Sequence, residues 1–271
     1  MRFLRKLFNF YINSSIHVAL SVFSLAWITL LSFDLSYTES VLYFVFYASI
    51  TGYNFVKYFA IAKFHHRQLA NWLKFIQILS FVCFILMCFY AAQLTLKALT
   101  FIVLLMLLTF FYAIPFFSKS QTLRTIGGLK VYIIALVWVS VTVFLPLITL
   151  DYKINLDVII LGIQRFLLVI ALMLPFEIRD LKFDSNELST IPQKLGLKKT
   201  KLLGLLILMS LFFLEFFKDS TAENHILVMF IVALITGLLV QFSKVEQNKY
   251  YSSFWVEGIP ILWLMLILIF N

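Results

Sequence analysis

The sequence predicts an all-α integral membrane protein, folded as a bundle of nine transmembrane helices. The first observation is composition: 62% of the 271 residues are hydrophobic and the mean hydropathy is +0.99, whereas soluble domains are about 45–50% apolar. The second is that apolar runs of about 20 residues, enough to span a bilayer, recur along the whole chain. The third is that only short polar breaks separate these runs. We therefore expect a single membrane domain over residues 1–271.

Nine spans follow one another along the sequence. Most are rich in Leu, Ile, Val and Phe without strict alternation, which argues against a transmembrane β-barrel. The first run follows a charged start but no small-residue cleavage site, so we expect it to be a retained helix rather than a signal peptide. The predicted spans are 14–33, 41–62, 73–93, 96–116, 130–150, 156–176, 201–217, 223–242 and 252–270.

The basic residues lie mostly on one side of this arrangement. Of the 22 Lys and Arg residues, 18 fall in the N-terminal segment and at the loops after spans 2, 4, 6 and 8; the exceptions are Lys97, Lys153, Lys218 and Arg165. The positive-inside rule then places the N-terminus and these loops in the cytoplasm and the C-terminus outside. This topology explains the net charge of +9. We expect no nucleic-acid partner, because no basic surface interleaved with aromatic residues is present.

Acidic residues gather directly after the sixth span. If that helix continues, Glu177, Asp180, Asp184 and Glu187 stand at i, i+3, i+7 and i+10 and form one stripe. A stripe of carboxylates suits a hard divalent cation such as Mg²⁺, which also takes waters and substrate phosphate. Two alternatives remain open: a solvated helix end, and a stripe paired with Lys from another loop.

Two segments carry a family resemblance. Arg179-Asp180-x-x-x-Asp184, followed by Thr190-Ile-Pro192, resembles the second aspartate-rich motif of the UbiA-type intramembrane prenyltransferases. Tyr112-Ala-Ile-Pro115, with the basic loop that follows it, is similar to the Y-x-x-P segment of the same family. The resemblance implies a nine-helix bundle with Mg²⁺ on Asp180 and Asp184. It also implies a site for a prenyl diphosphate at Asn54, Lys57, Tyr112, Lys119, Arg124 and Arg179.

The first aspartate-rich motif of that family, N-D-x-x-D-x-x-x-D, is degenerate here. Asn54 matches, but Phe55, Tyr58 and Ala62 stand where the carboxylates belong. Two hypotheses follow for Lys57, which lies one helical turn after Asn54. Either it helps to form a cationic cradle for the diphosphate together with one metal, or it pairs with the acidic stripe and takes the place of the metal.

The resemblance implies a prenyltransferase that moves a polyprenyl group from its diphosphate to a lipophilic or aromatic acceptor at the cytoplasmic face. The alternative is a non-catalytic lipid- or quinone-binding membrane subunit, which would work with a protein partner. A transporter is disfavoured, since two repeats that each carry a broken helix are not evident. Arg165 and Glu257 are charged residues within predicted spans, and they either line a cavity or tie helices together.

Overall fold

The fold was obtained as a computed structural model, which describes residues 2–64, 71–114, 128–183, 188–219 and 223–270. These residues form helices and connecting turns, with no strand among them. Short π-helical segments interrupt two of the long helices, at Ser140–Phe144 and Tyr251–Val256. The α-helices are α1 Arg2–Asn13, α2 Ile16–Ser32, α3 Glu39–Phe64, α4 Asn71–Ala91, α5 Leu96–Ala113, α6 Leu129–Val139, α7 Leu145–Thr149, α8 Leu156–Asp180, α9 Ile191–Phe213, α10 Glu223–Phe242 and α11 Ile259–Phe270.

The helices confirm a multi-pass membrane protein. Seven helical segments in the described ranges are long and apolar enough to cross a membrane, and α1 with α2 forms an eighth candidate bent by 53°. A helix lies in each of the nine predicted spans, but α3 is not among the seven segments that meet these limits. The count of nine spans therefore stays a prediction.

The central helix of the bundle is α8. In its most apolar stretch 72% of the residues are buried, against 17% in α4 and α5. The exposed faces of the outer helices carry large apolar side chains such as Phe81, Leu104 and Phe230. Because lipid tails solvate these side chains well, such faces suit contact with the bilayer interior.

The sequence predicts no helix before the span 14–33, so the N-terminal helix α1 differs from the prediction. In α1 the basic Arg5 and Lys6 lie on one face, while Phe3, Leu4 and Leu7 lie on the other and are exposed. This pattern is typical of a helix that lies in the membrane interface. The chain turns from α1 into α2 through a left-handed residue, Ser15, with φ of 63°.

The connection between α8 and α9 differs from the prediction in two ways. The sixth helix does not continue past Asp180, where α8 ends and a turn follows in which Phe183 N donates to Asp180 O; Asp184 and Glu187 of the predicted stripe lie outside the described residues. In addition, α9 begins at Ile191, and its first turn is separated by a break at Gly196, with φ of 76°, from the longer part that enters the predicted span. Pro192 occupies its first turn, where a missing N–H costs nothing.

Candidate functional site

Asn54, the residue that matches the first motif, joins three helices. Its Oδ1 accepts a hydrogen bond from Ser15 Oγ at 2.8 Å. Its Nδ2 donates to Ser14 O at 3.0 Å and to Ser80 Oγ at 2.8 Å. The buried amide therefore holds the bend between α1 and α2 against α3 and α4. A contact between this amide and a substrate stays a prediction. Because Nδ2 already donates two hydrogen bonds, a diphosphate oxygen would have to replace Ser14 O or Ser80 Oγ as its acceptor.

Lys57 lies one turn further along α3 and has an exposed side chain. Its Nζ donates to Asn13 O, the last carbonyl of α1, at 3.1 Å, and the neighbouring Tyr58 hydroxyl donates to the same oxygen at 2.7 Å. A cation at a helix C-terminus is favoured by the helix dipole. Within the described ranges Lys57 forms no ion pair with Asp180, so the hypothesis that it closes directly onto this carboxylate has no support in the structure.

Asp180 and Arg179 pair with each other at the end of α8. Arg179 Nε lies 2.7 Å from Asp180 Oδ1, with both side chains partly exposed. The guanidinium also lies over the ring of Phe176, at 5.2 Å from the centroid. The predicted metal ligand Asp184 lies outside the described residues, so of the two predicted ligands only Asp180 has a described position.

Glu177, the first residue of the predicted stripe, has a local structural role. Its carboxylate is buried, and Oε2 accepts a hydrogen bond from Ile191 N at 3.2 Å, at the start of α9. The adjacent Thr190 N donates to Gln193 Oε1 at 2.9 Å, which satisfies another backbone donor at this helix start. Glu177 therefore links the end of α8 to the beginning of α9.

The Y-x-x-P segment is described in part. Tyr112 is buried near the end of α5 and interacts electrostatically with Tyr53 of α3. The hydroxyl of Tyr53 accepts a hydrogen bond from Trp138 Nε1 at 2.6 Å. Lys119 and Arg124, the predicted basic loop residues, lie outside the described residues.

Glu257, for which the sequence leaves open cavity lining or helix tying, adds a carboxylate to this region. It follows the π-helical segment before α11, and it interacts electrostatically with both Lys57 and Arg179. The sequence signal was present, because a charged residue inside a span is unusual. The sequence does not indicate which residues interact with Glu257, because Lys57 and Arg179 are far from it along the chain.

The site therefore brings together Lys57 from α3, Arg179 and Asp180 from α8, and Glu257 from the start of the last helix. Lys57 and Arg179, from two helices, interact electrostatically with Glu257 from a third, and neither forms an ion pair with it among the described residues. Groups of three or more His, Cys, Asp or Glu side chains that would hold a metal do not occur in the part of the chain that the structure describes. Mg²⁺ on Asp180 and Asp184 thus stays a prediction.

The architecture and this site define a polytopic helical membrane protein with the UbiA fold. The chain resembles the apo structure of a UbiA homologue from Aeropyrum pernix K1, with a TM-score of 0.67 and 16% sequence identity over 94% of this chain and 98% of that one. It also resembles a structure of digeranylgeranylglyceryl phosphate synthase, with a TM-score of 0.56 and 17% identity over 98% of this chain and 97% of that one. No protein-family model and no curated protein sequence matches the chain.

Proposed function

We propose that the protein is an intramembrane prenyltransferase that moves a polyprenyl group from a prenyl diphosphate to a lipophilic or aromatic acceptor. The observation that carries the proposal is that two cations from different helices, Lys57 of α3 and Arg179 of α8, both interact electrostatically with Glu257. A leaving diphosphate gathers negative charge, and positioned cations lower the barrier to its departure. The UbiA-like fold over nearly the whole chain supports the same assignment.

In this mechanism the donor diphosphate lies among the cationic and polar groups of the site, and its prenyl tail lies in the apolar interior. The bond between the allylic carbon and the diphosphate oxygen breaks, and the electron pair leaves with the diphosphate. The acceptor atom then forms a bond to the carbocation and loses its proton to solvent. The diphosphate contacts are assigned to Asn54, Lys57, Tyr112, Lys119, Arg124 and Arg179.

Mg²⁺ would be held by Asp180 and Asp184, together with waters and the donor diphosphate, because Mg²⁺ commonly binds through only one or two carboxylates. Bound Mg²⁺ would neutralise charge on the departing diphosphate. The Arg179–Asp180 pair must then open or share its carboxylate. The transfer reaction would occur at the cytoplasmic face of the membrane, which is identified by the distribution of Lys and Arg.

A second candidate function is a non-catalytic lipid- or quinone-binding subunit. Two observations favour it: Asp180 is already neutralised by Arg179, and the amide of Asn54 is already engaged in three hydrogen bonds. In such a subunit these contacts would be permanent.

The test measures diphosphate release by the protein in lipid nanodiscs with Mg²⁺. Geranylgeranyl diphosphate is the first donor to try, since one structural relative is a digeranylgeranylglyceryl phosphate synthase; farnesyl and geranyl diphosphate follow. Lys57→Gln removes one charge-assisted contact, and such contacts contribute about 1.5–3 kcal/mol, so the donor KM should rise about tenfold or more.

The matched control is Lys153→Gln, an exposed lysine in the α7–α8 connection, which should leave the donor KM unchanged. If the wild type releases no diphosphate from any of the three donors, with 4-hydroxybenzoate or geranylgeranylglyceryl phosphate as acceptor, the enzyme assignment fails and the non-catalytic alternative is favoured.

A further inference from the structure

One side of the N-terminal helix α1 docks on the bundle. The ring centroid of Phe8 lies 5.0 Å from that of Tyr250 and 5.1 Å from that of Phe254, and both ring pairs meet edge to face. The neighbouring Asn9 Oδ1 accepts hydrogen bonds from Lys249 Nζ at 2.8 Å and from Tyr250 OH at 2.5 Å. These contacts fix the rotation of α1 about its own axis, so the directions of its other side chains are fixed as well.

Basic residues gather on the side of α1 that carries Asn9. Arg5 and Lys6 precede Asn9 by four and three residues, so they share its face of the helix. Both side chains are exposed. Lys249, which donates to Asn9, is exposed as well, and the sequence of α1 contains no acidic residue. The three cations Arg5, Lys6 and Lys249 therefore form one surface, the α1 basic surface.

The opposite face of α1 is apolar and also exposed. Phe3, Leu4 and Leu7 are 72%, 70% and 50% exposed, and Phe3 and Leu7 stand four residues apart on one face of the helix. The chain bends by 53° between α1 and α2, so α1 does not continue the direction of that span. A helix that is basic on one face and rich in Phe and Leu on the other binds in the membrane interface, and it binds more strongly where the lipid is anionic.

The predicted topology places α1 at the leaflet that is rich in anionic lipid. The distribution of Lys and Arg assigns the N-terminus to the cytoplasm, and the cytoplasmic leaflet carries a negative surface potential because of its anionic lipids. The charge of the α1 basic surface is complementary to these headgroups, while the exposed Phe and Leu side chains of α1 suit the acyl chains. One helix therefore presents a surface for both parts of a phospholipid.

We infer that α1 and Lys249 bind the headgroups of anionic phospholipids in the adjacent leaflet. The inference goes beyond the proposed function and does not depend on it. Asn13 O, the last carbonyl of α1, accepts hydrogen bonds from Lys57 Nζ and Tyr58 OH. A lipid contact that holds α1 in place therefore also supports the end of α3, where the proposed function assigns a diphosphate contact.

The experiment measures lipid binding to the purified protein in detergent by native mass spectrometry. Phosphatidylglycerol is the anionic probe and phosphatidylcholine is the zwitterionic one. Each basic residue near an anionic surface strengthens binding by about fivefold. Arg5→Gln/Lys6→Gln should therefore weaken phosphatidylglycerol binding by about 25-fold, and Lys249→Gln by about fivefold. Phosphatidylcholine binding should stay at the wild-type level in both variants.

Two control variants separate the α1 basic surface from charge in general. Lys198→Gln/Lys199→Gln removes two adjacent, exposed lysines of α9 on the same predicted side of the membrane, and it should retain wild-type binding of phosphatidylglycerol. Arg5→Lys/Lys6→Arg keeps both charges of α1 and should also bind this lipid like wild type. A loss in this second variant would show that the detailed structure of α1, rather than its charge, decides binding, and it would contradict the inference.

Three further results would overturn the inference. Equal binding of the two lipids by wild type would show that α1 contacts only acyl chains. Equal losses of phosphatidylglycerol in Arg5→Gln/Lys6→Gln and in Lys198→Gln/Lys199→Gln would show a general effect of net charge. Displacement of phosphatidylglycerol by inorganic phosphate would show a site for a soluble anion, to which the apolar face of α1 contributes nothing. A wild type that releases no diphosphate would instead refute the proposed function and leave this inference standing.

Discussion

Glu177, in the last turn of α8, accepts a hydrogen bond from the backbone N–H of Ile191, the first residue of α9, at 3.2 Å. The side chain is only 2% exposed. A carboxylate at a helix N-terminus is stabilised both by the free backbone N–H groups and by the helix dipole. This contact positions the α8–α9 connection, and the Arg179–Asp180 pair lies directly before it, in the last turn of α8.

Replacing Glu177 should destabilise the bundle. In Glu177→Ala the N–H of Ile191 loses a buried acceptor, which costs about 1–3 kcal/mol. Glu177→Gln keeps an oxygen acceptor and loses only the charge, so its effect should be smaller. Thermal unfolding in detergent measures both, with Glu246→Ala as an exposed control. Equal melting temperatures for wild type and Glu177→Ala would show that this bond contributes nothing to stability.

The sequence predicts the helices well where a span is long and apolar, as in α8 and α10. It misses α1, because a 12-residue helix with a polar face lacks the apolar length of a span. It also places the start of α9 too late, since Lys194, Lys198 and Lys199 resemble a loop. Lys194 lies in the first turn of α9, which Pro192 begins, and Lys198 and Lys199 follow the break at Gly196.

The site was predictable only where a local motif exists. Arg179 and Asp180 are recognisable from their spacing, and Lys57 from its place in the degenerate motif. The interaction of Glu257 with Lys57 depends on tertiary packing. It also depends on a π-helical segment, which is held in place by its contact with His17. Hydrophobic periodicity contains no information about either contact.

Asn54→Ala should weaken the fold even without substrate. The variant removes three hydrogen bonds and leaves the buried Ser15 hydroxyl and Ser14 carbonyl without this partner. Each unsatisfied buried group costs about 1–3 kcal/mol, so the melting temperature in detergent should drop by several degrees. Ser80→Ala, which removes one bond of the three, should lose less stability. If Asn54→Ala melts like wild type but its donor KM rises, the role of Asn54 is in binding rather than in folding.

Gly258→Ala should disturb the π-helical turn. A Cβ at this position would lie 2.7 Å from Phe254 O and 3.3 Å from His17 Nε2. Because the nearer atom belongs to the backbone, the turn must shift, and crowding of this kind costs about 1–3 kcal/mol. Gly52→Ala on α3 is the matched control, since nothing lies within 4 Å of its Cβ. The control should be neutral or slightly stabilising, as Ala is the better helix former. Unchanged stability and activity in Gly258→Ala would show that the turn tolerates a different register.

Asp180→Asn should reduce the response of the protein to Mg²⁺. The proposed function places Mg²⁺ on Asp180 and Asp184, so the loss of one carboxylate should raise the Mg²⁺ concentration needed for half-maximal diphosphate release about tenfold or more. Asp151→Asn, which affects an exposed carboxylate paired with Lys97, should leave this concentration unchanged. Donor turnover that is insensitive to Mg²⁺, and equal in Asp180→Asn and wild type, would exclude a metal at this position.

Arg165→Met should stabilise the bundle. Arg165 lies in α8, is 1% exposed and stacks over the ring of Trp263 at 5.1 Å. None of its three guanidinium nitrogens has a hydrogen-bond partner among the residues that the structure describes. A buried charge without an ionic partner is costly, and Met fills a similar volume without that penalty, so the free energy of unfolding should rise by about 1 kcal/mol or more. Arg165→Lys keeps the charge and should bring no gain. A clear loss of stability in Arg165→Met, measured by thermal unfolding in detergent, would show that an anionic or carbonyl partner holds the guanidinium after all.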